Sequence, residues 1–171
     1  FCGVIGEKGE RLLVDGDRMP GATFFPDARL NFAENLLRKR GAGDAIVFKG
    51  EDKVLRRLSW DDLHALVSRL QQLFVSFGVK KGDRVAAMMP NMPEAVAGML
   101  AAASLGAVWS SCSPDFGEQG VLDRFGQIEP VVFMAPDGYW YNGKQNDVSA
   151  KVKAVAAKLP SLRATVLVDY L

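Results

Sequence analysis

From Val79 onward the sequence switches between two hydrophobic periods at short, regular intervals, and this constrains the fold more than any other feature. Short apolar runs at 84–89, 107–110, 131–135 and 165–168 read as strands, and the stretches between them at 93–105, 117–128 and 147–159 carry helical spacing. Pro93 stands where a first helical turn tolerates proline, and Gly106 stands where a helix ends. Strands alternating with helices of this length imply parallel neighbours joined by right-handed crossovers. The predicted fold class is α/β: part of a mainly parallel sheet with helices on both faces, preceded by an irregular leader and a β-hairpin.

The first 78 residues follow a different logic. Residues 1–30 are rich in Gly, Pro and charge without a sustained period, so they predict an irregular arm packed on something else. Asn31 is placed to cap a short helix through Phe32, Leu36 and Leu37 to Lys39 and Arg40, stopped by Gly41. Runs at 45–48 and 54–58 flank Gly50-Glu51-Asp52 and predict the hairpin. Ser59 then caps a helix whose first turn holds Asp61 and Asp62, where the helix dipole favours acids. Leu63, Leu66, Val67, Leu70, Leu73, Phe74 and Phe77 share one face of that helix, and Gly78 ends it.

Composition removes several function classes. Lys and Arg (21) nearly cancel Asp and Glu (20), which argues against nucleic-acid coating and polybasic membrane binding. Residues 95–114 carry no charge, but Gly106 and the Ser110-Ser111-Cys112-Ser113-Pro114 run interrupt them, so no membrane span is expected. Cys2 and Cys112 with the single His64 offer neither a disulfide framework nor a zinc spacing, so both are expected as free thiols of a cytoplasmic protein. His64, one turn after Asp61, lies mid-helix among core positions and reads as structural. Cys112 has no histidine nearby in sequence to activate it, and Ser110, Ser111 and Ser113 lack the Gly-x-Ser-x-Gly setting of a nucleophile. The chain contains neither Gly-x-Gly-x-x-Gly nor a Walker loop. No catalytic residue and no metal ligand is assigned from the sequence.

Ligands of parallel α/β sheets bind beyond the carboxyl ends of the strands. Two segments qualify. Ser111-Cys112-Ser113-Pro114-Asp115-Phe116-Gly117 leads from a strand to a helix, and Asp137-Gly138-Tyr139-Trp140-Tyr141-Asn142-Gly143-Lys144 is expected as a loop after the next strand. Both leave the same edge, so one pocket could be lined by both. The second combines aromatics, flexible glycines and a lysine, a mixture suited to stacking a purine and holding a phosphate. The bland alternative is a surface loop whose aromatics cover the sheet edge.

Longer motifs carry a resemblance. Leu58-Ser59-Trp60-Asp61-Asp62-Leu63, then Phe77-Gly78-Val79-Lys80-Lys81-Gly82-Asp83-Arg84-Val85-Ala86, and then Met89-Pro90-Asn91 through Gly106-Ala107, resemble the opening of acyl- and aryl-CoA synthetases, the adenylate-forming ligases. Asn31-Phe32-Ala33-Glu34-Asn35-Leu36 looks like the end of the leader found in the acetyl-CoA synthetase branch. Within that branch the likeness is closest to the ligases of acetoacetate, through Met19-Pro20-Gly21-Ala22, residues 104–117, Val121-Leu122-Asp123-Arg124-Phe125 and Tyr141-Asn142-Gly143-Lys144.

The resemblance implies a leader over 1–36 and the first part of an AMP-binding domain over 37–171. It implies acetoacetate, ATP with Mg, and CoA as the ligands of a longer parent, reacting through an acyl-adenylate. It also implies that Lys144 attracts a phosphate at the nucleotide end of CoA, with Asn142 and Gly143 in the same turn. Trp140 and Tyr141 would support the adenine, and Asp115, Phe116 and Gly117 would stand near the same pocket. Tyr141 replaces an Arg usual in the branch, and Pro114 and Asp115 replace glycines. The Ser/Thr/Gly-rich phosphate loop ending in Pro-Lys, the ribose-binding Asp and the catalytic Lys of such ligases do not stand in these 171 residues. The chain is therefore expected to be an N-terminal fragment, inactive alone, missing the rest of its own chain and prone to self-association through an exposed sheet edge. The alternative expectation is a non-catalytic CoA- or nucleotide-binding α/β module.

Overall fold

The computed structural model describes residues 3–51 and 53–171; the expected Cys2 thiol and the Asp52 end of the Gly50–Asp52 turn lie outside the described residues. In chain order the elements are β1 (Leu13–Val14), β2 (Thr23–Phe24), α1 (Phe32–Leu36), β3 (Asp44–Gly50), β4 (Val54–Ser59) and α2 (Trp60–Ser76). They continue with β5 (Arg84–Met88), α3 (Pro93–Ser104), β6 (Val108–Cys112), α4 (Glu118–Phe125) and β7 (Val132–Pro136). Last come β8 (Gly138–Tyr141), β9 (Lys144–Asp147), α5 (Ser149–Ala157) and β10 (Ala164–Val168).

The expected parallel sheet is present. Its strand order is β10-β7-β5-β6, with every neighbouring pair parallel. Alternation along the strands sorts side chains onto two cores. Val85, Ala87, Val132 and Met134 face α2 and α3, packing with Val67, Phe74, Ala97 and Leu100. Ala86, Met88, Phe133 and Ala135 face α4 and α5, packing with Val121, Phe125, Val152 and Val155. Phe125 meets Phe133 edge-on at 5.9 Å between ring centroids, a favoured aromatic geometry.

Local signals set the helix starts. Asn31 accepts the Glu34 N–H, and Ser59 with Asp62 forms a reciprocal capping box. Proline occupies the first turn of α3. Gly78 and Gly106 take φ of 73° and 70° just past α2 and α3, where side chains other than glycine are strained. α1 stops at Leu36, short of the expected Lys39–Arg40 end.

The arm over 3–30 is irregular apart from the two-residue β1–β2 ladder and a Glu7–Arg29 bridge. It is tied down by polar contacts: Arg11 pairs with Asp27, and the Asn35 side chain bonds both the N–H and the carbonyl of Ile5 at 2.8 Å. The β3–β4 hairpin lies against α2 and α3, where Arg56 grips Glu94 with two bonds of 2.6 and 3.1 Å. The segment expected as a loop after β7 is a second hairpin, β8–β9. Its strand residues satisfy one another's backbone groups, which an open loop would have left to water. No helix among the described residues is long and apolar enough to cross a membrane.

Candidate functional site at the carboxyl edge of the sheet

The helix that follows β5 lies on one face of the sheet, while those that follow β6 and β7 lie on the other. The chain therefore parts at the carboxyl end of β5, the place where open α/β sheets leave a crevice for ligands. A polar crevice of about 270 Å³ opens there, lined by Met89, Pro90, Asn91, Ser111, Cys112 and Ser113.

The two segments singled out from the sequence flank this edge and are brought together. The Tyr139 hydroxyl faces the Asp115 carboxylate; burial first, then this neighbour, pushes the phenol's pKa up. The 113–117 turn is braced from inside and outside. Ser113 Oγ donates to Asp115 at 2.9 Å, and Lys151 Nζ of α5 donates to the carbonyls of Pro114 and Phe116 at 2.6 and 2.9 Å. Arg124 covers the Phe116 ring at 4.4 Å, and Gly117 is the N-cap of α4. Burial raises the Cys112 thiol pKa against the opposing pull of Arg124 and Lys151, which disfavours the thiolate.

The second hairpin presents its turn outward. Asn142 and Gly143 have φ of 51° and 70°, the pair of left-handed residues that joins strands over a two-residue turn. Tyr141 is 66% exposed, and Lys144 is exposed at the first position of β9. Trp140 and Tyr141 are adjacent on β8 and so point to opposite faces; they cannot form one stacking surface. The Trp140 ring instead lies 5.8 Å from Lys53 Nζ of the first hairpin. Glu51, from the same hairpin tip, accepts the N–H groups of Asn142 and Gly143 at 2.6 and 2.8 Å.

Several contributors were not legible in the sequence. Glu51 read only as a turn residue, and Lys151 was not singled out within its helix. Asp137 closes the site from beneath: its side chain accepts the N–H groups of Tyr170 and Leu171, and its carbonyl accepts the Val148 N–H at 3.0 Å. Its position before Gly138 was the available signal. Asp147 then hands the hairpin over to α5 by accepting the Ser149 N–H at 2.7 Å, a bond that holds its carboxyl below the usual range. His64 stands apart in α2, its Nε2 at 3.2 Å from the Lys39 carbonyl. Among the described residues, no three His, Cys, Asp or Glu side chains cluster as a metal site would need.

Comparison with known proteins shows the family and the fold. The AMP-binding enzyme family model matches residues 34–171. The chain belongs to the AMP-binding enzyme family. It is 69% identical over 169 residues to the acetoacetyl-coenzyme A synthetase of Rhizobium meliloti, covering 99% of this chain and 26% of that protein. The acetoacetyl-CoA synthetase of Macaca fascicularis is 40% identical over 175 residues, with the same shares covered. Among solved structures, acetoacetyl-CoA synthetase from Streptomyces lividans superposes with a TM-score of 0.88 at 41% identity, covering 96% of this chain and 26% of that one. The chain thus spans about a quarter of the length of the relatives it matches. Its parallel sheet flanked by helices is the fold that this family shares with it.

Proposed function

We propose that this chain is the first part of an ATP-dependent acetoacetate–CoA ligase, with a leader over residues 1–36 and the start of the AMP-binding domain over 37–171. The observation that carries the reading is the 69% identity to an acetoacetyl-coenzyme A synthetase over 99% of this chain. In the whole protein, an acetoacetate carboxylate oxygen attacks the α-phosphorus of Mg-ATP and pyrophosphate leaves. The CoA thiol then attacks the acyl carbon of the adenylate and AMP leaves.

In this reading residues 140–144 and 115–117 form one wall of the CoA site. Lys144 supplies a point charge for a phosphate, and the Asn142 and Gly143 amides supply oriented donors beside it. The Tyr139–Asp115 contact supports the reading, because it joins the two segments into one wall. Groups that stabilise charge on the transferred phosphates, the largest share of such catalysis, come from the rest of the protein, as do the ligands of Mg. The 171 residues alone therefore form no acetoacetyl-CoA. A cytoplasmic location accords with the free Cys112 thiol.

Calorimetric titration of the chain with CoA, and separately with ATP, tests this. Weak CoA binding that disappears in Lys144→Ala, with no heat from ATP, is the expected result. Binding of ATP alone, or acetoacetyl-CoA formation by the purified chain, would overturn it.

A further inference from the structure

Glu51 sits at the tip of the first hairpin with φ of 52°, a left-handed conformation that Gly, Asn or Asp accepts more readily than Glu. Its carboxylate reaches a turn 91 residues away and takes one N–H bond on each oxygen, at 2.6 Å from Asn142 and 2.8 Å from Gly143. Successive left-handed residues aim their N–H groups into a common concavity, which is an anion seat built from backbone alone. The seat is not needed to close its own hairpin, since Tyr141 already pairs with Lys144 across the turn. It lies immediately before the exposed Lys144, and the Glu51 charge is felt at Tyr170, whose pKa is raised first by burial and then by Glu51.

We propose that Glu51 is a specificity residue: an internal anion that fills the turn's seat and that a ligand must displace by bringing a phosphate. A neutral hydroxyl offers an acceptor without charge and cannot compete with a charge-assisted pair of bonds. A phosphate monoester carries close to two negative charges and three acceptor oxygens, and the exposed Lys144 follows the seat directly in sequence. The seat would therefore pass over dephosphorylated analogues of an otherwise identical ligand. The identity of that ligand as CoA rests on the reading above; the seat and its occupant rest on this chain's geometry.

The test follows the Asn142 and Gly143 amide signals of the ¹⁵N-labelled 171-residue chain during titration with inorganic phosphate, then with CoA and dephospho-CoA. In Glu51→Gln both amides should shift, and phosphate should move them at a concentration about tenfold lower than in the unsubstituted chain. CoA should tighten about tenfold while dephospho-CoA does not change. Glu51→Asp, which keeps the charge and shortens the reach, should behave like Glu51→Gln. Equal phosphate midpoints in all three chains, or unmoved amides, would overturn the proposal. Dependence on Glu51 for phosphate but no CoA binding would leave the seat standing and remove CoA as its ligand. CoA binding that needs Lys144 and ignores Glu51 would keep the CoA reading and end this one.

Discussion

The centre of the parallel sheet and the arm over 3–30 are both well supplied with apolar residues, yet they treat them in opposite ways. Val85–Met88 and Val132–Ala135 are wholly buried, with helices over both faces. In the arm, Met19 is 97% and Phe24 69% exposed, and Leu12, Leu13 and Leu30 also lie largely open. Content alone therefore did not decide burial; periodicity did. Period-2 runs followed by period-3.6 stretches give each element a face that a neighbour can cover. The arm has no repeating face, so surface ion pairs and side-chain-to-backbone bonds hold it, such as Arg11–Asp27 and Asn35–Ile5. Its partly exposed carboxylate Asp27 is kept below the usual range first by its bond to Arg11, an effect that salt screens.

The largest expected difference between the two regions is in stability. Phe133→Ala removes a fully buried ring that meets Phe125, and should cost about 3–5 kcal/mol in a urea titration. Phe24→Ala in the arm should change stability by no more than about 0.5 kcal/mol. Similar losses at the two sites would mean that the arm is folded into the same cooperative unit as the sheet.

A smaller effect tests the junction between the first hairpin and α2. Ser59→Ala removes the hydroxyl that accepts the Asp62 N–H and donates to its carboxylate, and should cost about 1 kcal/mol near pH 7. The Ser59 hydroxyl and N–H hold the Asp62 pKa below its ordinary value, so the charged carboxylate is favoured by folding. That contribution is complete above the unfolded carboxylate pKa of about 4 and fades as the pH falls through the lower folded value. The gap between Ser59→Ala and the parent chain should thus narrow at pH 3. An unchanged gap would show that the hydroxyl alone, and not the charge, carries the cap.

The smallest expected effect on stability separates two sticky surfaces. β10 and β6 are the outer strands of the sheet among the described residues, and Leu167 on β10 is 53% exposed. Open strand edges pair readily with other chains. We infer that the chain self-associates through this edge, so sedimentation should show concentration-dependent association that Leu167→Lys suppresses with little change in the melting point. Suppression by Phe24→Ser and not by Leu167→Lys would move the contact to the arm.

Much of this molecule was legible before any coordinates. The alternation after Val79 set the strand and helix order, and Asn31, Ser59, Pro93, Gly78 and Gly106 marked helix ends, because these signals act within a few residues of chain. The resemblance carried by residues 58–63, 77–86 and 89–107 pointed to the family that the comparisons show. The tertiary structure decided the rest. It made the expected loop over 137–144 part of a hairpin spanning 138–147, and set Trp140 and Tyr141 on opposite faces. It also brought Asp115 to Tyr139, and Glu51 to amides 91 residues away. No local pattern encodes such meetings. A backbone N–H or a carboxylate has the same chemistry wherever it stands in sequence, and its partner is set by which elements the packed sheet places side by side.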